Sequence, residues 1–192
     1  LELIFDEDDG GLFLPEGFQS LVVHEGVGQS RHLAVNENGD IYVKLRLDYG
    51  RNGNVALRDN DGDGKADITQ RFGDYPNDGR FATEMKINEG YLYYSSERVI
   101  YRQKLNPNKL VPDSPIEVLL TDPFPIRWHN AKSIAFDKEN NMYVTFSGIT
   151  NSCEDMTKGY DDPLATVLGR DPCDELELLG AIWKFDKSRL NQ

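Results

Sequence analysis

The stretch Lys132-Ser-Ile-Ala-Phe-Asp-Lys-Glu-Asn-Asn-Met-Tyr-Val144 decides the fold, because it carries the complete pattern of a β-hairpin. Apolar side chains alternate at Ile134 and Phe136, which places them on one face of a first strand. Asn140-Asn141 follows, and asparagine tolerates the positive φ angles of a tight hairpin turn. A second strand then begins at Met142. The stretch therefore predicts two short antiparallel strands with one buried face.

The same pattern occurs twice more, earlier in the chain. The two matching segments are Arg31-His-Leu-Ala-Val-Asn-Glu-Asn-Gly-Asp-Ile-Tyr-Val43 and Thr83-Glu-Met-Lys-Ile-Asn-Glu-Gly-Tyr-Leu-Tyr-Tyr94. Their second strands begin at Ile41 and Tyr91, so the pattern repeats at intervals of about fifty residues. This spacing is typical of propeller blades and not of a sandwich. The alternative is one antiparallel sandwich whose hairpins are similar by chance.

Additional strands complete each repeat. Third strands are predicted at Gly53–Arg58, Arg98–Arg102 and Gly180–Phe185. Outer strands are predicted at Thr69–Phe72, Ile116–Leu120 and Ser20–His24, the last belonging to a blade that precedes or closes the ring. We therefore predict an all-β fold, a partial β-propeller of about three blades. Blade one covers about 31–72, blade two about 81–120, and blade three about 130–186 with an insertion at 147–179.

Composition narrows the class of protein. The 192 residues carry a formal charge of −12 and are 39% hydrophobic. One compact domain is expected, and the acidity argues against a nucleic-acid partner but suits cations. The sequence lacks the long apolar run of a membrane span, and its acidic start at Leu1–Gly10 indicates that any export signal has been removed.

Two cysteines lie in the insertion, Cys153 and Cys173. Their surroundings are rich in Asp, Gly and Pro, where a disulfide is the natural use in an oxidising compartment, and two free thiols are the alternative. We therefore predict an extracytoplasmic location, periplasmic or secreted. The insertion either shapes a binding face or is a surface loop that the disulfide stabilises.

An acidic loop, Asp59-Asn-Asp-Gly-Asp-Gly-Lys-Ala-Asp67, has the alternating oxygen ligands of a Ca²⁺ site. The predicted ligands are the carboxylates of Asp59, Asp61, Asp63 and Asp67 and the carbonyl of Lys65. A solvated acidic turn without a metal is the alternative.

A second candidate site directly precedes the third hairpin. His129 lies where a propeller chain approaches its central channel, and a neutral imidazole there can take a hydroxyl proton as hydride leaves. Arg127 and Trp128 are candidates for contact with a sugar or another planar ligand, or they pack at a blade edge. His24 and His32 are left unassigned.

Taken together, these motifs resemble the glucose/sorbosone dehydrogenase family from about Leu12 to Asp186. The matching motifs, in order, are Leu14-Pro-Glu-Gly-Phe18, Arg31-His-Leu-Ala-Val35, Gly39-Asp-Ile-Tyr-Val43, Ala56 to Asp67, Trp128-His129, Ser133-Ile-Ala-Phe136 and Met142-Tyr-Val144. The resemblance implies a six-bladed propeller, usually exported, whose soluble members bind pyrroloquinoline quinone (PQQ) and Ca²⁺ and oxidise sugars or sugar aldehydes.

The resemblance also implies residue roles. His129 becomes the general base near the quinone, and the other PQQ and calcium ligands come from blades beyond this chain. The Asp59–Asp67 loop is instead a structural calcium site. The competing hypothesis is a calcium-stabilised propeller without catalysis, an exported module that binds protein or glycan or serves assembly.

Overall fold

The computed structural model describes residues 3–46, 53–75, 84–124, 131–151, 153–155 and 169–192. In these ranges the regular secondary structure is almost all β-strand, with two short 3-10 helices at Asp9–Gly11 and Asp174–Glu177. Neither helix has the length or the apolar character needed to cross a bilayer.

The strands of the described ranges form three antiparallel sheets, and in each sheet neighbours along the chain are neighbours in space. The first sheet contains β1 (Ser30–Val35), β2 (Ile41–Leu45), β3 (Asn54–Arg58) and β4 (Ile68–Phe72). The second contains β5 (Met85–Asn88), β6 (Tyr91–Ser95), β7 (Val99–Lys104) and β8 (Glu117–Thr121). The third contains β9 (Ile134–Phe136), β10 (Asn141–Phe146) and β11 (Ala181–Asp186).

The hairpin turns adopt the positive φ angles that their sequences predict. Gly39 has a φ of 90°, Gly90 of 75° and Asn140 of 70°. Each turn sets the register of its hairpin. In the third sheet, for example, Phe136 lies opposite Met142. The three predicted hairpins are therefore confirmed as paired strands.

Apolar side chains pack the sheets face to face. The cluster between the first and second sheets includes Tyr42 and Phe72 on one side and Tyr94 and Tyr101 on the other. The cluster between the second and third sheets includes Tyr93, Ile100, Leu119, Met142 and Val144. Adjacent residues such as Tyr93 and Tyr94 serve opposite clusters because side chains alternate along a strand. The second sheet is thus buried on both faces.

The leading strands of the three sheets lie side by side. Strand β5 contacts β1 on one side and β9 on the other. The residues directly before these three strands are consequently brought close together, although about fifty residues separate them along the chain.

Ser20–His24 belongs to none of the three sheets that the described residues form, and its assignment to a preceding or closing blade stays a prediction. Asp6 N donates to Ser20 O at 3.1 Å, and Ala66 N donates to Val23 O at 2.9 Å. The partners of this segment are the N-terminal segment and the acidic loop instead of a sheet edge. Short-range alternation at Leu21 and Val23 cannot reveal which partner an extended segment meets.

Candidate functional site

The residues predicted to act on a substrate, Arg127, Trp128 and His129, lie outside the described residues. Lys132 follows them in the sequence and lies within the described residues. It is one of the most buried side chains there. Its contacts locate the point where the third sheet begins.

Lys132 forms a buried ion pair with the second sheet. Its Nζ lies 2.7 Å from Asp122 Oδ2, and the two side chains are only 1% and 3% exposed. The same Nζ donates to the Glu97 carbonyl at 2.8 Å. The ion pair therefore ties the start of β9 to the loops that follow β6 and β8.

A buried carboxylate, Glu84, joins all three leading strands. It directly precedes β5 and is 4% exposed. Its Oε1 accepts a hydrogen bond from Met85 N at 2.9 Å, and its Oε2 accepts one from Ile134 N of β9 at 3.0 Å. His32 Nδ1, from β1, lies 3.6 Å from Oε1, and the His32 side chain is 38% exposed. A histidine beside a fixed carboxylate is a common arrangement in binding and catalytic sites.

The sequence alone does not reveal this pair, because no local motif links His32 to Glu84. The available signal was position, since His32 precedes the first apolar residue of its hairpin, Leu33, as Glu84 precedes Met85. Equivalent positions in successive repeats face the same region of a repeating fold.

Three of the predicted calcium ligands lie together. Carboxylate oxygens of Asp59, Asp61 and Asp67 lie within 4.8 Å of one another. The Asp63 carboxylate lies outside this cluster and accepts a hydrogen bond from Lys65 N at 2.7 Å. The loop thus presents three anionic groups on one side, which is the donor chemistry that Ca²⁺ prefers.

Backbone amides fix Asp59 at the base of the loop. Its carboxylate accepts hydrogen bonds from Gly64 N at 2.8 Å and Gly62 N at 2.6 Å, and these bonds lower its pKa below the ordinary value. Gly64 has a φ of 92°, and a Cβ there would lie 2.7 Å from Leu21. Only glycine fits this bend.

The N-terminal segment anchors the loop from outside. Lys65 Nζ donates to Asp6 Oδ1 at 2.8 Å, and Ile4 N donates to the Asp63 carbonyl at 3.0 Å. The hydrogen bond from Lys65 is the main reason that the pKa of Asp6 is lowered. The acidic loop and the N-terminal segment therefore hold each other in place.

The insertion is closed by the predicted disulfide. Cys153 and Cys173 are bonded, with their Cα atoms 5.9 Å apart. Beside them the buried Glu175 carboxylate accepts hydrogen bonds from Thr150 Oγ1 at 2.6 Å, from Thr150 N at 3.0 Å and from Ile149 N. Although burial opposes ionisation, these bonds keep the pKa of Glu175 below its ordinary value. The disulfide prediction is confirmed.

Comparison with solved structures gives three informative neighbours. The PQQ domain of pyranose dehydrogenase from Coprinopsis cinerea has a TM-score of 0.62 at 14% identity, covering 88% of this chain and 36% of that one. The calcium structure of a carbohydrate-active enzyme of family AA12 from Trichoderma reesei has a TM-score of 0.61 at 15% identity. The match covers 88% of this chain and 38% of that one. The PQQ-bound aldose sugar dehydrogenase from Streptomyces coelicolor has a TM-score of 0.52 at 14% identity. The match covers 86% of this chain and 47% of that one.

The chain has the fold of part of a β-propeller, similar to the propeller folds of these three proteins. This confirms the predicted fold class and, at the level of the fold, the resemblance found in the sequence. The chain spans between 36% and 47% of the length of these three neighbours. No protein-family model and no curated protein matches the sequence. The exact division into blades stays a prediction.

The propeller geometry gives the leading strands a location. Blades surround a central channel, and the first strand of each blade lines it. Strands β1, β5 and β9 therefore form part of the channel wall. Glu84 and His32 lie at the end of this wall where the strands begin, and Lys132 lies just before β9.

Proposed function

We propose that this chain is part of a longer polypeptide that oxidises a sugar or sugar aldehyde with PQQ. The observation that carries the proposal is the structural similarity over 88% of the chain to the PQQ domain of a pyranose dehydrogenase. In this proposal His129 takes the proton of the reacting hydroxyl group, while Arg127 and Trp128 contact the sugar. When bound, PQQ supplies the two-electron acceptor for the hydride that leaves the substrate carbon.

Lys132, the buried cation at this end of the channel, does not fit PQQ. The PQQ carboxylates call for unengaged cationic groups, whereas the Lys132 ammonium is paired with Asp122, and Glu84 adds a further negative charge. We therefore assign the binding of PQQ to the remaining blades. The part proposed for this chain is one wall of the channel with its proton acceptor.

The exposed faces of the first and third sheets support the presence of further blades. Leu33 and Val35 on the first sheet are 61% and 57% exposed, and Ile182 on the third sheet is 70% exposed. Such apolar side chains on propeller sheets are normally covered by a neighbouring blade. For the whole protein we propose an extracytoplasmic location, which the Cys153–Cys173 disulfide supports.

The proposed activity is tested in the full-length protein. After incubation with PQQ and Ca²⁺, dye reduction is followed with a panel of aldoses and sugar aldehydes, and omission of PQQ is the control. We expect reduction that depends on both PQQ and sugar. Sugar or glycan binding without any dye reduction would favour the competing hypothesis of a binding module.

We propose that the Asp59–Asp67 loop binds Ca²⁺ as a structural ion, through the carboxylates of Asp59, Asp61 and Asp67. A ligand at one hundred times its Kd stabilises a protein by about 2.7 kcal/mol, which corresponds to a rise in Tm of about 5 to 10 °C. We expect Ca²⁺ to raise the Tm by this amount relative to chelator, and Asp59→Asn to abolish the rise.

Asp63→Asn is the matched control, because the Asp63 carboxylate lies outside the cluster of three. It should retain most of the calcium response. A Tm that is identical in Ca²⁺ and in chelator would leave the loop as a solvated turn.

A further inference from the structure

The Glu84 carboxylate has a fixed position. Each of its oxygens accepts a hydrogen bond from a backbone N–H, one from its own sheet and one from the third sheet. Backbone donors of packed strands cannot turn away, and the side chain is 4% exposed. Glu84 is therefore a rigid negative charge at the channel end of β5.

This fixed charge orients the imidazole of His32. Nδ1 faces Glu84 Oε1 at 3.6 Å, so Nε2, on the other side of the ring, is directed away from the carboxylate. A carboxylate beside Nδ1 favours the tautomer with its proton on that nitrogen, which leaves Nε2 as an acceptor. The His32 side chain is 38% exposed, so the ring is open to a ligand.

A purely structural clamp would not need the histidine. The two backbone donors already pair both oxygens of Glu84 and connect the second sheet to the third. What His32 adds is a polar, oriented and partly exposed ring on the channel wall. Its neighbours on the same face of the wall, Ala34 and Tyr42, are engaged in packing between sheets.

We propose that His32 and Glu84 form a binding dyad for a hydroxyl group of the sugar. His32 Nε2 accepts the hydrogen bond of the hydroxyl, and Glu84 acts as the positioning residue that holds the ring. The inference rests on the proposed function for its ligand class, a polyhydroxylated sugar. It assigns no proton transfer to the dyad, so it adds a substrate contact on blade one to the base proposed on blade three.

The first test uses His32→Ala in the full-length protein with PQQ, Ca²⁺ and D-glucose. Loss of one hydrogen bond to a bound ligand should raise the KM about 3- to 10-fold, while kcat changes less than about twofold. Glu84→Gln should also raise the KM. His24→Ala is the control, since the His24 ring faces Thr69 of the outer strand β4 at 3.2 Å and not Glu84, and it should leave both constants unchanged.

The second test does not require turnover. The ring resonances of His32, assigned by comparison with His32→Ala, are followed by NMR as D-glucose is added to the full-length protein. A glucose-dependent shift supports the dyad even where no dye is reduced, and in that case only the proposed oxidation fails. Turnover with an unchanged KM in His32→Ala overturns the dyad alone. An absence of both turnover and shift overturns both proposals.

Discussion

Replacing Lys132 by methionine is expected to lower the free energy of unfolding by about 3 to 5 kcal/mol. The substitution leaves Asp122, 3% exposed, as a buried carboxylate without its ammonium partner at 2.7 Å. Methionine fills a similar volume, so the loss reports the removal of this buried ion pair and not a cavity. The measurement is chemical denaturation of the full-length protein, followed by tryptophan fluorescence.

Lys109→Met is the matched control for this prediction. Lys109 also forms a short ion pair with an aspartate, at 2.6 Å from Asp113, but the two side chains are 54% and 47% exposed. Exposed pairs contribute at most about 1 kcal/mol, so we expect little change. Similar losses in the two variants would show that burial of the Lys132–Asp122 pair carries no special weight.

Replacing His129 by alanine is expected to lower kcat for sugar oxidation about 10²- to 10⁴-fold, the usual effect of removing a general base. The KM should change far less, because the proton is transferred in the transition state and not on binding. The measurement is the steady-state rate of dye reduction by the full-length protein with PQQ and Ca²⁺.

Added imidazole provides the control for His129→Ala. A small base that diffuses into the vacated position should restore part of the rate in the variant and leave the unsubstituted protein unaffected. A kcat within threefold of the unsubstituted protein would remove His129 as the base, whatever happens to the KM.

The features predicted well from the sequence are local ones. The hairpins depend on alternation and on turn residues such as Gly39 and Asn140, and both signals lie within a dozen residues. The acidic loop is also a local feature. The bends at Gly62 and Gly64 bring the carboxylate of Asp59 close to those of Asp61 and Asp67. Repetition at a constant spacing then predicted the propeller.

The features that the sequence did not reveal depend on contacts between sheets. A lysine is normally exposed, and Lys132 is buried only because Asp122 and the Glu97 carbonyl come from the neighbouring sheet. Glu84 likewise acquires its role from His32 and Ile134, which lie about fifty residues away in each direction. Such partners follow from the closed packing of the sheets and leave no local pattern.

The proposed function makes this chain part of the wall of a sugar-oxidising PQQ propeller. Its most direct test is a single-turnover measurement, in which D-glucose is mixed anaerobically with the PQQ- and Ca²⁺-loaded full-length protein and the absorbance of the quinone is followed. We predict reduction of one quinone per protein, slowed at least a hundredfold in His129→Ala. A protein that binds PQQ but shows no change in quinone absorbance with any sugar of the panel would contradict the claim.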